Sequence, residues 1–218
     1  MKKANRIPDM LIRLRLLTTA LALCFLGAAL ANPVNPTVIA GQAGFNSASN
    51  TLTVTNTPSA IINWQGFSIG PNEVTRFIQQ SAASAVLNRV TGADPSQILG
   101  ALQSNGRVFL INPNGIACGA ASRIDVGGLV ASTLNLSDAD FLTGRMNFTE
   151  RAGTGAITNA GEIRAAAGSQ VLLIAPKVEN AGLIEAPNGD ILLAAGRSVR
   201  LVDVHNPEIQ YEVNAPDK

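Results

Sequence analysis

The 218-residue chain is 46% apolar and only 14% charged, with 20 glycines, one Trp and one Tyr. A chain this apolar is not disordered. With charge well below the roughly 25% of ordinary globular domains, it does not read as amphipathic helices, and a net charge of +1 gives no basic footprint for nucleic acid.

Residues 1–31 read as an export signal peptide. Lys2, Lys3, Arg6, Arg13 and Arg15 form a basic start, Leu16 to Leu30 an apolar stretch, and Ala29-Leu30-Ala31 the small-x-small pattern for cleavage after Ala31. The apolar stretch falls short of the roughly 20 residues a spanning helix needs, and a polar run follows from Asn32. No stable membrane span is therefore expected. A lipid anchor on Cys24 is disfavoured by Leu23, where a small residue belongs. Cleavage removes five of the 16 basic residues and one of the 15 acidic ones, leaving 11 against 14 and a net charge of −3. It also removes Cys24. With Cys118 alone, no internal disulfide can form, and core burial must hold the mature chain. Neither His nor a basic residue closely flanks Cys118, so it reads as a small buried residue rather than a reactive thiol.

From Asn32 to Asn50 the sequence suits an N-terminal cap. Residues 51–69, TLTVTNTPSAIINWQGFSI, alternate β-branched and polar residues, broken at Asn56 and Pro58; residues 74–90 hold two further apolar runs. Pro95-Ser96 predicts the opening of a short helical or turn-like piece closed by Gly106. The apolar run RVFLI then stops at Asn112-Pro113-Asn114-Gly115, whose residues in that order specify a type I turn. Residues 123–136 suit another coil, with Gly127-Gly128 at a corner. Residues 137–148, SDADFLTGRMNF, read as an excursion.

The last third carries an internal repeat. Aligning residues 157–177, ITNAGEIRAAAGSQVLLIAPK, with 178–198, VENAGLIEAPNGDILLAAGRS, matches seven of 21 positions. Asn159 recurs as Asn180, Gly161 as Gly182, Ile163 as Ile184, Gly168 as Gly189 and Leu172 as Leu193, and Val199 opens the next block. A period near 21 with Gly and Asn inside each unit excludes helical repeats. A leucine-rich repeat is the alternative, but its Leu-x-x-Leu-x-Leu frame is missing. The expected fold is all-β: a right-handed parallel β-helix of about 21 residues per coil, with an N-terminal cap and small extra-helical β elements. Asn159 over Asn180 forms a possible side-chain ladder. NPEIQYEVNAPDK, from Asn206, alternates like a strand and reads as a solenoid truncated without a C-terminal cap.

No catalytic constellation or metal set emerges, and no cofactor is implied. Asp125, Asp138 and Asp140 suit a solvated loop better than a calcium or acid/base site. His205 is the sole His and precedes Asn206-Pro207, a surface turn. Gly153-x-Gly155 precedes no helix. Asn135-Leu-Ser137 and Asn147-Phe-Thr149 are sequons of a kind that arises often by chance.

The stretch LNRVTGADPSQILGALQSNGRVFLINPNGIACGAASRIDVGGLVASTLNLSDADF resembles the secretion domain of filamentous-haemagglutinin-type exoproteins, nearest the high-molecular-weight adhesins of two-partner secretion. AIINWQGFSIGPNEVTRFIQ and NPEIQYEVNAPDK are similar to the same subgroup, and the likeness spans residues 32–218. The family's Asn-Pro-Asn-Gly-Ile motif falls on Asn112, Pro113, Asn114, Gly115 and Ile116. A second motif, Asn-Pro-Asn-Leu, is absent; its region reads Leu87-Asn88-Arg89-Val90. The aromatic usual after the turn is also missing, with Cys118 near its place. The resemblance implies a non-enzymatic targeting domain at the head of an adhesin-like exoprotein. Its partner would be an outer-membrane β-barrel transporter with periplasmic POTRA domains, and its destination the cell surface or medium. The alternative is a self-contained surface adhesion module for host glycan or protein. On the first reading, Asn112 to Ile116 are expected to serve export more than fold stability.

Overall fold

Strands of three to six residues separated by tight turns can bury their alternate side chains only by stacking on one another. The computed structural model describes residues 32–150, 154–201 and 211–214 and follows this principle through six coils. A cap of β1 (Thr37–Ala40) and β2 (Ala43–Ala48) comes first. Two coils follow, built from β3 (Thr51–Asn56) with β4 (Ala60–Trp64) and β5 (Val74–Gln79) with β6 (Ala85–Val90). Later coils carry three strands: β7 (Ser96–Ile98), β8 (Ala101–Ser104) and β9 (Arg107–Ile111), then β10 (Ile116–Cys118), β11 (Arg123–Val126) and β12 (Gly128–Ser132). An excursion of β13 (Asn135–Leu136), α1 (Asp138–Leu142) and β14 (Met146–Thr149) intervenes. The path resumes with β15 (Ile157–Asn159), β16 (Glu162–Ala165) and β17 (Gln170–Ala175), and then β18 (Val178–Asn180), β19 (Leu183–Glu185) and β20 (Asp190–Ala195). Last come β21 (Ser198–Leu201) and β22 (Tyr211–Asn214).

The chain is a parallel β-helix with three faces. Sheet 1 runs β1-β4-β6-β9-β12-β17-β20, sheet 2 runs β2-β3-β5-β8-β11-β16-β19, and sheet 3 runs β7-β10-β15-β18. Coil pairs on these faces are parallel; the cap strands pair antiparallel, β1 on β4 and β2 on β3. Alternation sorts side chains into two cores. Along β9, Val108 and Leu110 enter the lumen with Trp64, Phe77, Ile124 and Leu173. Phe109 and Ile111 point the other way, into a second layer beneath Leu136, Phe141, Phe148 and Val199. The cover is sheet 4, the antiparallel order β13-β14-β21-β22. From β4 to β17, sheet 1 is thus buried on both faces, which is why those strands read as mostly apolar runs.

Three details depart from the sequence expectations. Residues 96–98 and 101–104 are strands, not a helical piece, because Ser96-Gln97-Ile98 pairs with Ile116-Ala117-Cys118 and Ala101 to Gln103 with Arg123 to Asp125. Pairing in the stack overrides the helix-start signature of Pro95-Ser96. The 21-residue offset holds for Asn159 with Asn180 and Ile163 with Ile184. It becomes 20 on sheet 1, where Leu172 lies beside Leu192 and Leu173 beside Leu193. One residue is lost at the corner: left-handed Gly168 (φ 74°) matches Asn188 (φ 54°), not Gly189. Ser169 and Gly189 instead take equivalent places, their N–H groups donating to Ala166 and Ala186. Val199 opens no further coil. It pairs antiparallel with Phe148 in sheet 4.

Candidate functional site

The Asn-Pro-Asn-Gly turn forms the corner between β9 and β10. Gly115 N–H donates to the Asn112 carbonyl at 3.2 Å, closing the turn. The Asn112 side-chain oxygen accepts from Asn114 N at 3.0 Å and Asn114 Nδ2 at 3.1 Å. Gly115 has φ of 122°, a left-handed value that a side chain would strain. Asn112 is wholly buried. Its Nδ2 reaches back to the preceding coil, donating to the Asp94 carbonyl and to Ser96 Oγ, each at 3.0 Å. The coil after it grips from the other side: Gly155 N–H donates to the Pro113 carbonyl at 2.6 Å and Ile116 N–H to the Ala156 carbonyl at 3.1 Å. A Cβ on Gly155 would stand 2.5 Å from the Asn114 carbonyl, so this close approach needs glycine.

This geometry divides the motif. Asn112, Gly115 and Ile116 are buried framework, Pro113 is half-buried, and Asn114 is exposed with Nδ2 held by the Gly92 carbonyl at 2.8 Å. The expectation that all five residues serve export above stability therefore meets an Asn112 whose entire amide is structural. Its partners Asp94 and Ser96 lay 16 to 18 residues upstream with no spacing signal to mark them.

Asn159 and Asn180 stand in register on sheet 3. Asn159 Nδ2 donates to Asn180 Oδ1 at 2.7 Å, and Asn180 Nδ2 to the Gly182 carbonyl at 3.2 Å. Cys118 occupies the same column beside Asn159. Burial pushes its thiol up to about 12, leaving it protonated and unreactive at neutral pH. Asn88 and Arg89, which carry no role in the sequence, are both structural. Asn88 is buried in the lumen, where its Oδ1 accepts from Trp64 Nε1 at 2.9 Å and its Nδ2 donates to the Phe109 carbonyl at 3.2 Å. Arg89 faces outward, donating to the Leu136 carbonyl at 2.8 Å and pairing with Asp138 at 2.7 Å, so it ties sheet 1 to its cover. An Asn inside an apolar strand was the visible clue to the first; nothing local marked the second.

The acidic residues of the excursion have structural partners. Asp140 is bound by Arg145 and by its helix cap Ser137, and the Arg145 hydrogen bond foremost holds its carboxyl below the usual range. Among the described residues, no cluster of three or more His, Cys, Asp and Glu is placed to hold a metal, and no helix is long and apolar enough to cross a membrane. Ala31, Cys24, Gly153 and His205 lie outside the described residues.

Comparison with known proteins decides what a six-coil helix with this corner belongs to. Residues 31–216 match the TPS secretion domain family. The chain belongs to that family. A TPS domain is the secretion-targeting part of an exoprotein exported across the outer membrane to the cell surface or extracellular space. The crystal structure of the HMW1 secretion domain from Haemophilus influenzae superposes with a TM-score of 0.78 at 37% identity, covering 85% of this chain and 50% of that one. A heme/hemopexin-binding protein of Haemophilus influenzae strain Rd is 36% identical over 172 residues, 75% of this chain and 19% of the relative. A second protein of that name, also from Haemophilus influenzae, is 38% identical over 92 residues, 42% of this chain and 10% of its own length. The chain thus spans a fifth or less of these curated relatives.

Proposed function

We propose that this TPS domain targets an adhesin-like exoprotein to an outer-membrane β-barrel transporter, whose periplasmic POTRA domains read the Asn112–Ile116 corner. The single observation that carries the reading is the division of that corner. Asn112 rivets two coils from within, while Asn114, with Pro113 beside it, meets solvent. Residues that specify a turn internally and leave the Asn114 side chain exposed beside a half-buried, rigid proline ring suit recognition by another protein. Two features of the chain fit passage through a barrel: no disulfide has to form, and each coil buries its own apolar layer as it closes. The domain acts by being recognised and folding, not by catalysis. Contact with a host-cell glycan or protein belongs, in this reading, to the rest of the exoprotein.

The test is export of residues 1–218 from a Gram-negative host with and without the cognate transporter. Appearance in the medium only with the transporter is the expected result. Periplasmic retention in both cases would overturn the reading.

A further inference from the structure

The tripeptide Pro-Asn-Gly occurs twice in the chain, at Pro113-Asn114-Gly115 and at Pro187-Asn188-Gly189, and a third Asn-Gly pair lies at Asn105-Gly106. All three asparagines are exposed. Asn is among the heat-labile residues, most of all before glycine, whose backbone nitrogen no side chain shields. Both tripeptides form turns closed in the same way: Gly115 N–H donates to the Asn112 carbonyl at 3.2 Å and Gly189 N–H to the Ala186 carbonyl at 3.0 Å. They differ in what holds the asparagine. Asn114 Nδ2 donates to the Gly92 carbonyl at 2.8 Å and to Asn112 Oδ1 at 3.1 Å. Asn105 is clamped by the Gln79 backbone, accepting from its N–H at 2.7 Å and donating to its carbonyl at 2.8 Å. The Asn188 carboxamide has no hydrogen-bond partner. Its turn begins at Ala186, which offers no side-chain oxygen where the other turn offers Asn112. Asn188 also holds a left-handed φ of 54°, in the place that Gly168 fills one coil earlier.

We propose that Asn188 is a site of spontaneous deamidation in the folded chain, and that the fold shields Asn105 and Asn114 from the same reaction. The Gly189 nitrogen gives its proton to solvent and bonds to the side-chain carbonyl carbon of Asn188, while the carboxamide C–N bond breaks and ammonia leaves. Water then opens the resulting succinimide at either carbonyl, giving aspartate or isoaspartate. One water is consumed for each ammonia released, and nothing is oxidised or reduced. Ring closure requires the carboxamide to swing over the glycine nitrogen. Asn188 is free to do so, whereas Asn105 and Asn114 must each break two hydrogen bonds first. Isoaspartate adds a methylene to the backbone at a corner with no slack. A Cβ on Gly189 would collide with the Ser169 carbonyl, and Gly168 N–H donates to the Pro187 carbonyl at 2.8 Å. Deamidation therefore loosens the coil of β18 to β20 locally and leaves the Asn112–Ile116 corner intact.

The test incubates the full 218-residue chain, folded or held in urea, in warm, mildly alkaline buffer and follows each Asn-Gly peptide by mass spectrometry. In the folded chain Asn188 should convert at least about fivefold faster than Asn105 or Asn114, because only their reactions wait on local opening. In urea the three should convert at similar rates. Asn188→Gly keeps the left-handed corner and should remove most of the isoaspartate that a protein isoaspartyl methyltransferase labels in the folded chain. Conversion of Asn105 or Asn114 as fast as Asn188 in the folded chain would overturn the inference. So would an excess at Asn188 that persists in urea, or labelling undiminished in Asn188→Gly.

Discussion

Both hydrogens and the oxygen of the Asn112 amide are engaged inside the corner, and that fixes what its loss does. Asn112→Ala strips partners from the Asp94 carbonyl, Ser96 Oγ and the Asn114 N–H. Leaving buried polar groups unpaired costs about 1–3 kcal/mol, to be read from urea unfolding. Asn114→Ala removes an exposed side chain and should shift stability by no more than about 1 kcal/mol. Export, measured with the transporter present, should nevertheless fall several-fold in Asn114→Ala. If export instead tracks stability in both variants, the corner is structural only. Cys118 offers a second residue-scale measurement. Its folded value near 12 lies above the ordinary 9.0, so from about pH 9 the unfolded chain gives up a proton that the folded one keeps. Stability is undiminished below pH 9 and is lost as pH rises toward 12, by up to about 1.4 kcal/mol per pH unit. Cys118→Ala should flatten that slope in urea titrations at pH 8, 9 and 10. Equal slopes would mean the thiol is not buried as described.

At the scale of elements, the cover on sheet 1 is where sequence and structure part most. The excursion at residues 137–148 was legible from its polar, broken pattern. Its partner β21 was not, since Met146 to Thr149 pairs with residues some 50 positions on and nothing local announces such a match. Val199 also mimics the first residue of a repeat, its apolar side chain being just as well buried under an antiparallel sheet. The five-residue α1 hangs on Phe141, which meets Phe109 edge-on at 5.1 Å, and on Arg89 gripping Leu136 and Asp138. Phe141→Ala should cost about 3–5 kcal/mol by cavity formation. Amide exchange should quicken first in β13 and β14 while lumen strands such as β9 stay protected. Uniform quickening would show that cover and solenoid unfold as one unit.

For the whole molecule, the repeat at residues 157–198 pointed to a parallel β-helix, because Asn and Gly at fixed places exclude helical units and the Leu-x-x-Leu-x-Leu frame of a leucine-rich repeat is missing. What the repeat could not convey was register. A one-residue deletion at the corner holding Asn188 moves sheet 1 to an offset of 20 while sheets 2 and 3 stay at 21. The candidate turn was legible for the same local reasons as the coils, but its division into an inner and an outer face depends on residues 92–96 of another coil. Stacking also dictates how stability is distributed. Leu173 sits in the lumen between layers on either side and is 1% exposed, whereas its neighbour Leu193, on the outermost described coil, is 41% exposed. In a solenoid whose stability is a sum over adjacent coils, Leu173→Ala should cost about 2–5 kcal/mol and Leu193→Ala less than about 1 kcal/mol, both read from urea midpoints at constant slope. Equal losses would mean that the stack is stabilised as a block. Layered losses would give each newly closed coil its own increment of burial, and a chain leaving a transporter coil by coil would then be held outside by the layers it has already completed.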